Sequence, residues 1–106
     1  MERIEFLQNI KRIVVKIGSS SITDSDSISS LKISKFASDV AELKKKGYEV
    51  AIVTSGAIST GAGVLSLSRN NLSIPEKQAL AAVGQAVLMN EYRKCFDKLG
   101  YNIGQI

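Results

Sequence analysis

The chain has 106 residues, a formal charge of +4, and 44% hydrophobic and 23% charged residues, the balance of one soluble globular domain or a piece of one. No apolar run approaches the ~18 residues of a membrane span, and the opening MERIEF has early acids and no apolar core before a small-residue cleavage site, so no signal peptide and a cytoplasmic location are expected. Cys95 is the single cysteine and histidine is missing, which excludes internal disulfides, Ser-His-Asp and Cys-His catalysis, and His- or Cys-rich zinc sites. Chemistry has to run on Lys, Ser, Asp, Glu, backbone amides or a borrowed metal ion.

Residues 1–11 are mixed and polar. The run RIVVKI at 12–17 is nearly all β-branched and ends at Gly18, the pattern of a strand buried on both faces. Residues 18–30 hold seven serines with Asp24 and Asp26, a composition that favours turns over regular structure. From residue 31 to 46, Ile33, Phe36, Ala37, Val40, Ala41 and Leu43 fall on one helical face, with Ser30 as the expected N-cap. The basic run Lys44-Lys45-Lys46 directly precedes Gly47, where cations offset the helix dipole and glycine supplies the cap. With three Phe, three Tyr and no Trp scattered along the chain, no stacking face for nucleic acid is expected.

YEVAIVT at 48–54 is a second buried-strand pattern, so strand, helix and strand form a βαβ unit with parallel pairing expected. A short helix over 58–67, interrupted by Gly61 and Gly63, follows, then a polar loop over 68–72. Ser73-Ile74-Pro75-Glu76 spells a capping box that opens a long helix, with Leu80, Val83, Val87, Leu88, Tyr92, Phe96 and Leu99 on one side and Gly100 at its end. YNIGQI at 101–106 has the character of a third strand.

In an open parallel sheet, ligands bind beyond the carboxyl ends of the strands. Two segments lie there. Lys16-Ile17-Gly18-Ser19-Ser20 places a cation at a strand end before a glycine and hydroxyls, and Thr54-Ser55-Gly56-Ala57 places small residues at a helix start. Two anion cradles side by side suit a phosphoryl donor and a carboxylate acceptor. On spacing alone, a snorkelling surface lysine is the favoured reading of Lys16 over a phosphate role, and small residues after a strand are often plain packing. A Walker A loop is rejected because Ala62 stands where the lysine is required, and neither strand is followed by a dinucleotide-binding glycine fingerprint. Met89 is expected in the core, Cys95 as an inert, partly buried thiol, and Asp24 and Asp26 as solvated turn formers rather than metal ligands.

The segments VVKIGSSSIT (14–23), VTSGAI (53–58), KQALAAVGQ (77–85) and GQI (104–106) resemble, in order and spacing, the N-terminal part of members of the amino acid kinase family that phosphorylate glutamate. The lysine and glycine motif is shared across that family. Ser-Gly-Ala where other branches carry Gly-Gly sequences, joined to KQALAAVGQ, is specific to the glutamate-phosphorylating branch.

The resemblance implies an α/β fold, an αβα sandwich on a mainly parallel sheet, of which residues 1–106 form the acceptor-substrate half. It implies transfer of the γ-phosphoryl group of ATP, with Mg2+ held mainly through the nucleotide's phosphates, to the side-chain carboxylate of L-glutamate, the first step of proline biosynthesis. By motif, Lys16 is the catalytic cation; Lys16, Gly18 and Ser19 bind the phosphates; and Ser55, Gly56 and Ala57 hold glutamate. The family's domain continues past residue 106 into the rest of the acceptor pocket, the adenine site and a second lysine. The chain by itself is therefore expected to be inactive, and the complete protein is expected to be a homo-oligomer. Another acid as substrate, or a non-catalytic interaction piece, remain the alternative readings.

Overall fold

In a computed structural model describing residues 3–106, the elements run α1 (Arg3–Gln8), β1 (Arg12–Ile17), a 3-10 turn (Ser19–Ser21), β2 (Thr23–Asp24), β3 (Ser27–Ile28), α2 (Ser30–Lys45), β4 (Glu49–Thr54), α3 (Ala57–Leu65) and α4 (Ile74–Lys98). β1 and β4 pair in parallel, from Arg12 opposite Glu49 to Ile17 opposite Thr54. α2 makes the crossover that a parallel pair requires.

The alternation of side chains along a strand decides which residues meet the helices. Ile13, Val15 and Ile17 on β1, with Val50, Ile52 and Thr54 on β4, lie on the covered side. Beneath them the core gathers Ile33, Ala37 and Val40 from α2, and Leu88, Tyr92, Cys95 and Phe96 from α4. Ile22 joins them from the loop after β1 and is fully buried. Met89 packs against the edge of this cluster, as its place on α4 leads one to expect. Phe36 meets Tyr92 edge to face, with ring centroids 6.4 Å apart.

The opposite sheet face is open: Val14 is 63% and Val53 is 52% exposed. The two-sided burial expected of these runs is thus corrected, because among the described residues both long helices stack on the same side.

Both helix ends that lead back toward the sheet are closed by glycine in a left-handed conformation. At the end of α2, Gly47 has φ 92°, its N–H donates to Lys44 O, and Tyr48 N–H donates to Leu43 O. Gly100 (φ 83°) repeats this after α4, with Tyr101 N–H donating to Phe96 O. These paired bonds are the Schellman closure, in which orphan carbonyls of the last turn are satisfied. The capping box at Ser73 is complete in both directions.

Four further expectations need correction. Ser29, not Ser30, caps α2: its hydroxyl accepts from Lys32 N–H at 3.2 Å, and its own N–H is committed to Ile22 O at 2.8 Å, which closes the β2–β3 hairpin. That hairpin and the 3-10 turn replace the irregular loop expected over 18–30. The helix expected at 58–67 is Ala57–Leu65. Residues 101–106 form no strand: they make no ladder bond to β4 and instead line, together with β4, an apolar cavity of about 610 Å³. The parallel sheet therefore has two strands among the described residues.

α3 and α4 touch backbone to backbone. A Cβ on Gly61 would fall 1.9 Å from Leu80 O, and one on Gly84 would fall 1.7 Å from Ala57 O. Gly63 likewise lies against Asp26 O at the hairpin turn, 2.0 Å from where a Cβ would be. Glycines that cost helix propensity here let two helices and a turn converge on the start of α3.

Candidate functional site

The ladder between β1 and β4 runs one bond past the strands, with Ser55 N–H donating to Ile17 O at 2.9 Å. Ser55 therefore offers its hydroxyl, not its amide, to anything beyond the sheet edge. Gly56 follows with φ 109°, a conformation that L side chains rarely adopt, and turns the chain into α3. Thr60 N–H closes the first helical bond on Gly56 O at 2.9 Å. The amides of the first turn lack intrahelical partners and carry the positive end of the helix dipole.

Around this helix start lies a cleft of about 330 Å³, floored by Thr54, Ser55, Gly56 and Ala57 and walled by Ser19, Ser59, Ala81 and Arg69. Ser19 is brought in by the 3-10 turn, and its Cβ lies 3.6 Å from where a Cβ on Gly56 would be. Ser19 O is itself occupied, accepting from Ile22 N–H at 3.1 Å and from Thr23 Oγ1 at 2.8 Å. The two cradles expected from sequence thus lie side by side, with Ser19 and Gly56 lining the same cleft.

The structure does not bring all six expected site residues together. Ser19, Ser55, Gly56 and Ala57 line the cleft, whereas Lys16 and Gly18 do not. Lys16 sits opposite Val53 on the open face of the sheet. Gly18 has φ −79°, and a Cβ there would meet nothing within 4 Å. Its surroundings leave room for a large group to approach the backbone, and its conformation makes no demand for glycine.

Among the described residues, the cleft's one charged lining residue is Arg69, a position the sequence did not single out. Its Nε lies 3.0 Å from Asp26 Oδ1, and Ser59 Oγ donates to the same oxygen at 3.1 Å. Asp26, expected to be a solvated turn former, is therefore a junction between the hairpin, α3 and the loop before α4. Asp24 also has a partner: Lys32 Nζ stands 2.9 Å from Oδ1 and donates to Thr23 O at 2.8 Å. That hydrogen bond and the lysine charge hold the Asp24 carboxyl below its usual range. The sequence shows Arg69 only as a cation in a polar loop. What gives it a place in the site is the α3–α4 contact, which folds that loop over the helix start.

Tyr92 Oη and Thr54 Oγ1 are 2.8 Å apart, tying the end of β4 to α4. Burial pushes the Tyr92 phenol up, so it stays neutral and keeps its hydrogen. Burial also pushes up the Cys95 thiol, with Glu91 adding to the effect; at 6% exposure Cys95 is more enclosed than expected, and a neutral buried thiol is a poor nucleophile. The larger cavity beside residues 101–106 is lined mainly by apolar side chains and lacks the helix-start amides of the smaller cleft.

Strand ends, a helix start and converging hydroxyls define an α/β protein with a site suited to an anionic ligand at the carboxyl edge of its parallel sheet. The sequence matches the amino acid kinase family over residues 11–106, and the chain belongs to that family. It is 47% identical over 105 residues to a glutamate 5-kinase of Clostridium tetani, covering 98% of this chain and 39% of the relative. It is 49% identical over 96 residues to a glutamate 5-kinase of Carboxydothermus hydrogenoformans, covering 89% of this chain and 26% of the relative. A third glutamate 5-kinase, from Clostridium acetobutylicum, is 45% identical over 105 residues, again 39% of its length. The chain thus spans two fifths or less of the length of these curated relatives. Among the described residues, no helix is long and apolar enough to cross a membrane.

Proposed function

We propose that residues 1–106 are the acceptor-binding half of a cytoplasmic, homo-oligomeric kinase that transfers the γ-phosphoryl group of ATP to the side-chain carboxylate of L-glutamate, opening proline biosynthesis. The observation that carries this reading is the shared cleft lined by Ser19 and by Ser55, Gly56 and Ala57, at the carboxyl edge of a parallel sheet. It is supported by relatives of that name at 45–49% identity.

In this reading, the Ser55 hydroxyl and the first amides of α3 hold glutamate, with Gly56 shaping the turn and Ala57 leaving space. Gly18 lets the nucleotide's phosphates approach, Ser19 donates to them from the shared wall, and Lys16 neutralises the phosphoryl group in transit. A carboxylate oxygen attacks the γ-phosphorus, the bond to the bridging oxygen of ADP breaks, and glutamyl 5-phosphate and ADP result. The acceptor is already ionised at neutral pH, so no base is needed, and positioning with charge stabilisation carries the catalysis. Among the described residues, no group of three acidic, His or Cys side chains is placed to hold a metal. The Mg2+ that accompanies ATP would be held mainly through the nucleotide's phosphates.

The test is ATP-dependent hydroxamate formation with magnesium, glutamate and hydroxylamine, using the protein at the length of its relatives. Glutamate-dependent turnover is expected, with aspartate and N-acetylglutamate as poor substitutes. Equal or better turnover of another acid would replace the substrate. Inactivity toward every acid would leave the interaction-piece reading.

A further inference from the structure

Among the described residues, an arginine is the sole charged residue lining the cleft, and no role in the site has so far been given to it. Arg69 stands on the loop joining α3 to α4, and that loop is pinned at its start. Ser66 takes a left-handed conformation (φ 55°), and Leu67 N–H donates to Ala62 O at 2.9 Å. At its far end, Ser73 caps α4. Asp26 engages Arg69 at Nε, while Ser59 holds the same carboxylate oxygen from α3. A guanidinium has five N–H donors in a rigid fork. The ion pair with Asp26 is made at Nε, which leaves the terminal nitrogens for a second carboxylate.

Glutamate brings two carboxylates, of which one is the nucleophile. Resting on the proposed function, we propose that Arg69, oriented by Asp26, is the specificity determinant that binds the non-reacting α-carboxylate of the acceptor. The half-exposed Arg69 (side chain 50% accessible) and the partly covered Asp26 (39%) leave the fork reachable from the cleft. The reacting carboxylate then lies toward Ser55 and the helix start. Substrates lacking the α-carboxylate forfeit a charge-assisted, two-point contact.

The experiment compares glutamate with 4-aminobutyrate, the same molecule without its α-carboxylate, using the protein at the length of its relatives. Losing a hydrogen-bonded charge pair costs about tenfold to a hundredfold. Arg69→Gln is therefore expected to lower kcat/KM for glutamate by that factor, while kcat/KM for 4-aminobutyrate and KM for ATP stay within about twofold. The preference for glutamate then collapses, which a general loosening of the loop would not produce, since both substrates would then suffer alike. Arg69→Lys keeps the charge but not the fork and is expected to lose part of the preference, and it stands in if the glutamine variant fails to fold. An unchanged glutamate preference in the folded variants, or a loss appearing in KM for ATP, overturns the assignment. If the unmutated protein itself turns over no glutamate, the proposed function fails and this inference with it.

Discussion

The two strand-end segments look alike in sequence, each a strand followed by glycine and small hydroxyl residues, yet the fold treats them differently. After β4, Gly56 needs its positive φ, Ser55 N–H is spent on Ile17 O, and the helix start is pressed on α4 by Gly84. After β1, Gly18 is in ordinary extended conformation with open space around it, and Lys16 points from the uncovered sheet face. One cradle is organised by contacts within this segment. The other presents a cation on the open sheet face and a glycine with open space around it. Such a division suits a site that must recognise a small acceptor closely and grip a flexible polyphosphate by charge.

The sharpest way to break this comparison is at Lys16. In the protein at the length of its relatives, Lys16→Ala is expected to lower kcat by a hundredfold or more, from a loss of about 3 kcal/mol of transition-state stabilisation, with little change in KM for glutamate. A near-normal kcat would remove Lys16 from the mechanism. At the other cradle, Ser55→Ala is expected to raise the Kd for glutamate about tenfold to a hundredfold, with ATP affinity hardly moved. Calorimetry with each ligand separates the two, and a loss confined to ATP would reverse the assignment of the cradles.

A third pair of variants tests organisation rather than chemistry. Gly84→Ala puts a methyl group into Ala57 O and is expected to cost about 1 to 3 kcal/mol in urea unfolding and to weaken glutamate binding, although alanine is intrinsically the better helix former. Gly18→Ala meets nothing within 4 Å and is expected to stay within about 0.5 kcal/mol. Equal effects would show that the two loops are equally constrained.

The smallest effect concerns the hairpin between the cradles. The Asp24 carboxyl is held below its ordinary range by Lys32, so it binds protons more weakly folded than unfolded. Its contribution to stability is present at neutral pH and is lost as pH falls through the lowered folded value. Asp24→Asn should therefore lower the unfolding midpoint slightly at pH 7, with the gap to the unmutated protein closing as the pH falls below the ordinary aspartate range. Added salt should narrow the gap at pH 7, because the pair is exposed.

Elements with local causes were legible without coordinates. The β-branched runs became β1 and β4, the capping box at Ser73 opened α4, and the lysines before Gly47 closed α2. Each rests on contacts within a few residues, where spacing and residue type already set the backbone. The KQALAAVGQ segment was legible as helix, but its Gly84 only as part of a family signature. Its physical meaning, a glycine on which Ala57 O rests, emerged from the meeting of two helices.

The amino-acid sequence by itself determined the family, the βαβ unit and the residues at the two strand ends, because strand length, helix period and turn chemistry are local. The tertiary structure alone decided that one face of the sheet stays open, that residues 101–106 do not pair with β4, and that Ser19 but not Lys16 borders the cleft at the start of α3. It alone also brought Arg69 to that cleft, since a contact between residues 26, 59 and 69 depends on how α3 and the hairpin pack together. Burial and long-range pairing are properties of packed faces, and a linear pattern of residue types does not say which of two equally apolar faces a helix will cover.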